Sequence, residues 1–195
     1  MSTGGSPAWT VRAAVANCSV RPWLGEAWRC HTRKWPGDNA DGSLKATGRY
    51  HRGRDRYPES ETWPALYTGL AEHIALGESL RHTQHLPGLA WKRVTRLEIS
   101  LEAVLDGTGL VDGDFSGTPV LDDLCRPADY DLTHEIARAA RARGAEALLV
   151  PTCTRFTGNN LIIFPDLLRS GSSLIVSSAE DPDLYIDWDE LRSTT

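Results

Sequence analysis

The alternation of apolar and polar positions predicts more strands than helices along this chain. Residues 26–33 (EAWRCHTR) and 94–104 (VTRLEISLEAV) alternate with the period of two that is typical of a strand with one buried face. Residues 44–52 (LKATGRYHR) predict a second short strand with a bulge at Gly48. Shorter segments predict the other strands: ALYTGL, the buried runs EALLVP, LIIF and SLIV, and LYIDW as a final edge strand.

Helical spacing appears in fewer segments. DLTHEIARAARARG, at 131–144, places its apolar residues on one face and ends at Gly144. AEHIALGESLRHT predicts a helix that begins near Ala71, and VRAAVANC is compatible with a short helix. Residues 1–10 are small and polar, which predicts disorder. Because the helices are interspersed among strands without regular βαβ alternation, the sequence predicts an α+β fold in a single domain.

Glu78 occupies an unexpected position in the predicted helix after ALYTGL. It lies three and four residues after Ala75 and Ile74, and therefore shares their apolar face. A carboxylate on a face that packs against the core is costly unless another group pairs with it. Glu78 is therefore a candidate functional residue.

Two arginines lie in segments predicted to be strands. Arg29 lies between Trp28 and Cys30, and Arg49 follows Gly48. A guanidinium buried without a partner is costly, so each arginine is expected to have one. The spacing leaves two interpretations equally open: a structural ion network with Glu78, or a binding site.

The composition limits the remaining possibilities. The chain has 195 residues, a net charge of -5 and a pI of about 5.7, which argues against a protein that mainly coats nucleic acid. No apolar run approaches the roughly 18 residues of a membrane span. MSTGGSPAWT lacks the features of a secretion signal, so we expect a cytoplasmic protein. The four cysteines form no CxxC pair, which predicts free thiols rather than zinc ligands or a disulfide framework.

Several familiar motifs are missing. The sequence has no GxGxxG or GxxxxGKS/T phosphate loop and no GxSxG nucleophile elbow. Its histidines lack the spacing of metal ligands, so no metal is expected. The basic run RYHRGRDR, at 49–56, is interpreted as a solvated loop or as a contact to phosphates.

The two arginines and the glutamate together suit one kind of ligand. Two guanidiniums can each bind a pyrophosphate through a planar fork. A fixed carboxylate can hold a ribose hydroxyl or stabilise the positive charge that develops when a glycosidic bond breaks. Tyr67 offers an aromatic face for a flat ring. A pyrophosphate, a ribose and a planar cation together describe NAD⁺.

The same segments resemble the RES-domain family, which is named for an arginine, a glutamate and a serine. The resemblance rests on WRCHTR, TGRYH, LYTGLAEHIALGE and EALLVPTCTRFTGNNLIIF. It implies an N-terminal extension over residues 1–22, partly disordered, and a RES-like domain over residues 23–190. It also implies the fold of the diphtheria-toxin-like ADP-ribosyltransferases, with mixed sheets and a few helices.

The resemblance also assigns roles to individual residues. The family's two arginines match Arg29 and Arg49, its tyrosine matches Tyr67, and its glutamate matches Glu78. Two positions depart from the family: Thr152 replaces the serine, and Cys30 replaces an aromatic residue. Threonine keeps the hydroxyl group, and Tyr50 or Trp28 is the candidate to supply the missing aromatic contact.

The function implied by the resemblance is cleavage of NAD⁺ at the nicotinamide–ribose bond. The ADP-ribose acceptor is left open as water, phosphate or a target protein. An Xre-like antitoxin is the implied partner, and seven tryptophans with the LYIDW edge strand are compatible with a homodimer. The alternatives are a non-catalytic module that binds a nucleotide or a partner protein, and nucleic-acid binding through RYHRGRDR.

Overall fold

The computed structural model describes residues 7–83, 91–112, 124–125, 129–154 and 156–182 of the chain. Three helices and six strands account for most of this part. The helices are α1 (Pro7–Asn17), α2 (Glu72–Thr83) and α3 (Asp131–Ala142). The strands are β1 (Val20–Thr32), β2 (Leu66–Gly69), β3 (Lys92–Asp106), β4 (Ala147–Pro151), β5 (Asn159–Ile163) and β6 (Ser173–Glu180). The protein is therefore a single-domain α+β protein with a mixed sheet and few helices, as the sequence predicts.

The strands form one sheet in the order β1-β2-β5-β4-β3-β6, with an additional pairing of β1 with β3. The additional pairing joins β1, β2, β5, β4 and β3 into a closed ring, and β6 lies outside the ring along β3. Only β3 and β4 run parallel among the described pairs. The closed ring brings residues from distant parts of the sequence side by side.

The two faces of the sheet pack against two apolar clusters. One cluster joins α1 and α3 to β4 and β5, with Val15, Ile136 and Leu148 fully buried. The other lies between β1, β2, β3 and β5 and includes Leu97 and Leu161, also fully buried. The predicted strand over 94–104 and the predicted helix over 131–144 are confirmed, because their periodicity matches these buried faces.

Two of the expectations from the sequence are wrong, and a third is not tested. Residues 7–10 are not disordered but belong to α1, whose Val11 and Val15 lie in the core. SLIV is a strand but not a buried one, because β3 is the only described strand that pairs with β6, and Ile175 is 55% exposed. LYIDW lies outside the described residues.

The predicted strand over 44–52 is also wrong, because the chain reverses at Gly48. The backbone groups of Gly48 and His51 bond to each other in a tight turn, which follows a short 3₁₀ helix (Asp41–Lys45). A Cβ atom at position 48 would lie 2.3 Å from the His51 ring. Only glycine therefore allows this close approach, and Arg49 lies in the turn rather than in a strand.

The expectation of four free thiols is wrong as well. Cys125 and Cys153 form a disulfide bond with a Cα–Cα distance of 5.3 Å. Cys18 and Cys30 are free. Sequence spacing gave no sign of this pair, because the two cysteines are 28 residues apart and meet only in the folded chain.

Three buried histidines make the stability sensitive to acid. Burial lowers the pKa of His31, His51 and His134. The folded protein keeps these rings neutral at pH values where the unfolded chain, with a histidine pKa of about 6.5, already binds protons. We therefore expect the free energy of unfolding to fall as the pH drops below about 6.5, with no histidine contribution to the slope well above that value. Urea unfolding midpoints measured across this range test the expectation.

His134→Gln provides the control for this pH effect. His134 contacts the Gly48 carbonyl through Nε2 at 2.8 Å, and a glutamine amide can also donate to that carbonyl. The variant should lose less stability than the parent protein between neutral and mildly acidic pH. A parent midpoint that is equal on both sides of about pH 6.5 would contradict the prediction.

Candidate active site

A row of paired residues across four strands supports helix α2, which carries Glu78. Trp28 of β1 pairs with Gly69 of β2, Gly69 pairs with Asn160 of β5, and Asn160 pairs with Val150 of β4. Helix α2 follows β2 after two residues and lies against this row. Gly69 permits the close packing, because a Cβ atom there would lie 2.8 Å from the backbone nitrogen of Ala75.

The Glu78 carboxylate is anchored through one oxygen. Its Oε1 accepts hydrogen bonds from Thr152 Oγ1 at 2.8 Å, Asn160 Nδ2 at 2.7 Å and the Cys153 backbone nitrogen at 2.9 Å. No described residue donates to Oε2, and the side chain is partly exposed. The cost of placing a carboxylate on this face is therefore offset by three neutral donors, and one oxygen is left for another group.

Glu146 shows what a purely structural carboxylate looks like in the same protein. It is fully buried, and both of its oxygens accept hydrogen bonds from backbone nitrogens. Burial raises the pKa of this carboxyl, but hydrogen bonds from the Ser172 side chain and from these backbone nitrogens outweigh it, so the pKa lies below its usual value. Glu78 differs because only one of its oxygens accepts hydrogen bonds from the described residues.

Arg29 is held by backbone carbonyls rather than by an acid. Its Nη1 donates to the carbonyl oxygens of Gly37 at 2.8 Å and Asn39 at 2.7 Å. Burial lowers the pKa of Arg29 to about 10, and the nearby Asp38 opposes this. The guanidinium therefore stays charged at neutral pH, while its Nε and Nη2 have no acceptor among the described residues.

Arg49 projects from the tight turn at Gly48. Its Nη1 donates to the Leu124 carbonyl, and its guanidinium lies 5.8 Å from the ring centre of Tyr130. Thr133 donates its hydroxyl proton to the Arg49 carbonyl, which fixes the turn against α3. The position of Arg49 thus depends on three segments that are far apart in the sequence.

Two tyrosines lie next to the turn that carries Arg49. The Tyr67 hydroxyl accepts a hydrogen bond from the Tyr50 backbone nitrogen at 2.8 Å and lies 2.8 Å from His51 Nδ1. The Tyr50 hydroxyl is buried and has no partner within the described part of the chain. Burial raises the pKa of both phenols, so both remain protonated at neutral pH.

These side chains line one cavity of about 480 Å³. Arg29, Arg49, Tyr50, Tyr67 and Glu78 all contribute to its wall, together with Asn160 and Cys153. Thr152 lies behind Glu78 and does not line the cavity. Trp28, the other aromatic candidate, does not line it either and instead lies 5.8 Å from the Arg96 guanidinium on the outer face of the sheet.

The geometry differs from a closed ion network. Glu78 forms no ion pair with Arg29 or Arg49, all three of which the structure describes. The charge of Glu78 is therefore not neutralised by direct contact with either arginine. The three charged groups instead face a shared cavity of the size typical of ligand sites.

Sequence reasoning missed two residues here. Asn160 is one of two amides, with Asn159, that begin the otherwise apolar strand β5, and this polar pair was the available signal. Arg81 lies three residues after Glu78 and donates to the carbonyls of Cys153 at 3.0 Å and Cys125 at 2.5 Å. Burial and the neighbouring Arg49 lower its pKa. Arg81 and the Cys125–Cys153 disulfide thus join the same two segments.

Two specific features are absent from the part of the chain that the structure describes. The described residues contain no group of three or more His, Cys, Asp or Glu side chains arranged to hold a metal ion. Within the same part of the chain, no helix has the length and apolar composition that crossing a lipid bilayer requires.

Comparison with known proteins places the chain in a family. The profile of the RES domain matches residues 26–189. A chain of the crystal structure of the M. tuberculosis MbcT–MbcA toxin–antitoxin complex has a similar fold, with a TM-score of 0.71 and 19% sequence identity over 94% of this chain and 97% of that chain. No curated protein sequence matches the chain. Because the RES domain match spans most of the 195 residues, the chain belongs to the RES domain family.

Proposed function

We propose that the protein is an NAD⁺-consuming enzyme that cleaves the nicotinamide–ribose bond. The observation that carries this proposal is the state of Glu78, which is anchored through one oxygen, has no donor to the other among the described residues, and lines a cavity together with Arg29 and Arg49. Such a site offers a fixed negative charge and two positive charges to one ligand. That charge pattern is complementary to a nicotinamide riboside cation joined to a diphosphate.

The reaction follows from this charge pattern. The bond between C1′ and the nicotinamide nitrogen breaks, and its electron pair leaves with nicotinamide, which becomes neutral. Positive charge develops on C1′ and the ring oxygen of the ribose, and the Glu78 carboxylate stabilises it. An acceptor then adds to C1′ and loses a proton: water, phosphate or a side chain of a target protein.

The remaining residues bind and orient the substrate. Arg29 directs its unused Nε and Nη2 at the diphosphate, and Arg49 binds the diphosphate or orients the ribose. Tyr67 packs against the nicotinamide, and Tyr50 supplies the aromatic contact that is absent at Cys30. Thr152 holds Glu78 in place, since its hydroxyl donates to Oε1 at 2.8 Å as a serine would.

Family membership supports a wider biological role. The similar structure is that of a toxin–antitoxin complex, and RES domain membership accords with a toxin. We extend this to the present chain as a cytoplasmic toxin on the diphtheria-toxin-like ADP-ribosyltransferase fold, with an Xre-like antitoxin as its partner. A protein target and a homodimer remain predictions of the sequence.

The test of the proposed function is incubation of the purified protein with NAD⁺, with and without inorganic phosphate. Chromatography should detect free nicotinamide together with ADP-ribose or its phosphorylated form. If a candidate target protein is the acceptor, its mass increases by one ADP-ribose unit. Binding of NAD⁺ without nicotinamide release, both with phosphate and with the candidate target protein present, would overturn the proposal and favour the non-catalytic module.

Thr152 provides a further prediction about this site. Thr152→Val keeps the shape of the side chain but removes the hydroxyl that donates to Glu78. A hydrogen bond to a charged group contributes about 1.5–3 kcal/mol, so we expect nicotinamide release to slow by roughly ten- to a hundredfold. Initial rates at saturating NAD⁺ measure this effect. Thr152→Ser is the matched control and should retain the parent rate, so similar rates in all three proteins would rule out a positioning role.

A further inference from the structure

The cavity extends along β1 well beyond Glu78. At one end lies the row that contains Trp28, Gly69 and Asn160, whose amide binds Glu78. At the other end, Thr32 pairs with Lys92, and both residues line the cavity. Four residues of strand separate Trp28 from Thr32, which corresponds to about 13 Å. The cavity therefore continues along β1 past the row of residues that supports Glu78.

Trp35 forms part of the wall at the far end. The turn after β1 brings it back toward the strand, because its backbone nitrogen donates to the Thr32 carbonyl at 3.1 Å. Its indole is half-buried and lines the cavity near Ser43 and Lys92. None of the roles assigned to Glu78, Arg29 or Tyr67 involves this residue.

Positive charge surrounds this indole. The Nζ atoms of Lys45 and Lys34 lie 4.9 Å and 5.7 Å from its ring centre, and both lysines are exposed. Lys92 adds a third ammonium group along the same end of the cavity. An aromatic face beside several flexible cations fits a planar base that carries phosphate. Lys45 is long and exposed, so its ammonium can leave the ring when a base stacks there.

We propose that Trp35 and the neighbouring lysines form the adenosine subsite of the cavity, where the indole stacks on the adenine base. This inference rests on the proposed function, because Glu78 must take the nicotinamide ribose at the opposite end. Arg29 lies between the two ends on β1, next to Trp28, which suits the diphosphate between the two halves of NAD⁺. The lysines then face the phosphate of the adenosine half.

The experiment compares two substrates that differ only in the adenosine half. Nicotinamide mononucleotide carries the scissile bond but no adenosine, whereas NAD⁺ carries both. Trp35→Leu should raise the KM for NAD⁺ about tenfold, which corresponds to about 1.4 kcal/mol of stacking. It should leave kcat for NAD⁺ and kcat/KM for the mononucleotide unchanged. Trp35→Phe, which keeps an aromatic face, should fall between the parent and Trp35→Leu.

Trp91→Leu is the matched control, because Trp91 is 76% exposed and does not line the cavity. It should leave both substrates unaffected. Equal losses for NAD⁺ and the mononucleotide in Trp35→Leu would overturn the inference, since they would mean that Trp35 supports the fold rather than the base. No change for either substrate would overturn it as well.

A binding measurement separates this inference from the proposed function. Calorimetric titration with ADP-ribose requires no turnover, and Trp35→Leu should weaken binding about tenfold. If the parent protein binds ADP-ribose in this way but never releases nicotinamide, the subsite stands and the proposed reaction fails. If ADP-ribose binds equally well to the parent and to Trp35→Leu, or does not bind at all, the subsite is wrong whatever the reaction.

Discussion

Glu78→Gln is expected to slow nicotinamide release by at least about a hundredfold while the protein stays folded. The amide keeps the shape of the side chain, and its oxygen can still accept from Thr152, Asn160 and the Cys153 backbone nitrogen. What disappears is the negative charge of a side chain that lines the cavity. The loss should appear mainly in kcat, because the charge acts on a cation that forms only as the bond breaks.

Two other glutamates serve as controls for this prediction. Glu72→Gln, at an exposed position in the first turn of the same helix, should retain the parent rate. Glu146→Gln should instead lower stability, because two backbone nitrogens donate to one oxygen of this carboxylate and a third donates to the other. Nicotinamide release and the urea midpoint of each variant distinguish the two effects. A Glu78→Gln protein that consumes NAD⁺ at the parent rate would refute the proposed mechanism.

The position of Glu78 could be predicted from sequence because it depends on local periodicity. Helix α2 forms where the spacing of Ile74 and Ala75 indicates, and this places the carboxylate on their side of the helix. Strand β3 and helix α3 follow the same rule, since each buries the face that its pattern marks as apolar. Where the periodicity of a single segment determines which side of it a residue occupies, the sequence alone predicts that position.

The rest of the site depends on contacts between distant segments. Arg49 lies in a turn because the Gly48 backbone closes against His51, whereas the segment LKATGRYHR taken by itself resembles a short strand. Asn160 donates to Glu78 across 82 residues of sequence. Arg81 donates to the Cys153 carbonyl, next to the residue that anchors Glu78, across 72 residues. No periodicity within one segment encodes such pairings. They become visible only once the sheet order is known.

The Cys125–Cys153 disulfide joins the two segments that hold the charged residues of the site. Cys153 donates its backbone N–H to Glu78, while the carbonyl of Leu124, next to Cys125, accepts from Arg49. Arg81 bonds to the carbonyls of both cysteines and so links the same segments without a covalent bond. The disulfide therefore restrains Glu78 and Arg49 relative to each other.

We expect reduction of this disulfide to lower both stability and turnover. A dithiol reductant transfers two electrons and two protons, which yields two thiols on the protein and a disulfide in the reductant. The bond closes a loop across 28 residues, and a loop of this length contributes about 3.6 kcal/mol to stability by constraining the unfolded chain. Urea midpoints and nicotinamide release, each measured with and without the dithiol, test this prediction.

Two variants serve as controls. The double replacement Cys125→Ala and Cys153→Ala should behave like the reduced parent and show no effect of the reductant, whereas Cys18→Ser should respond as the parent does. A parent protein whose midpoint and rate are the same in both conditions would show that the bond does not hold the site together, leaving that role to Arg81.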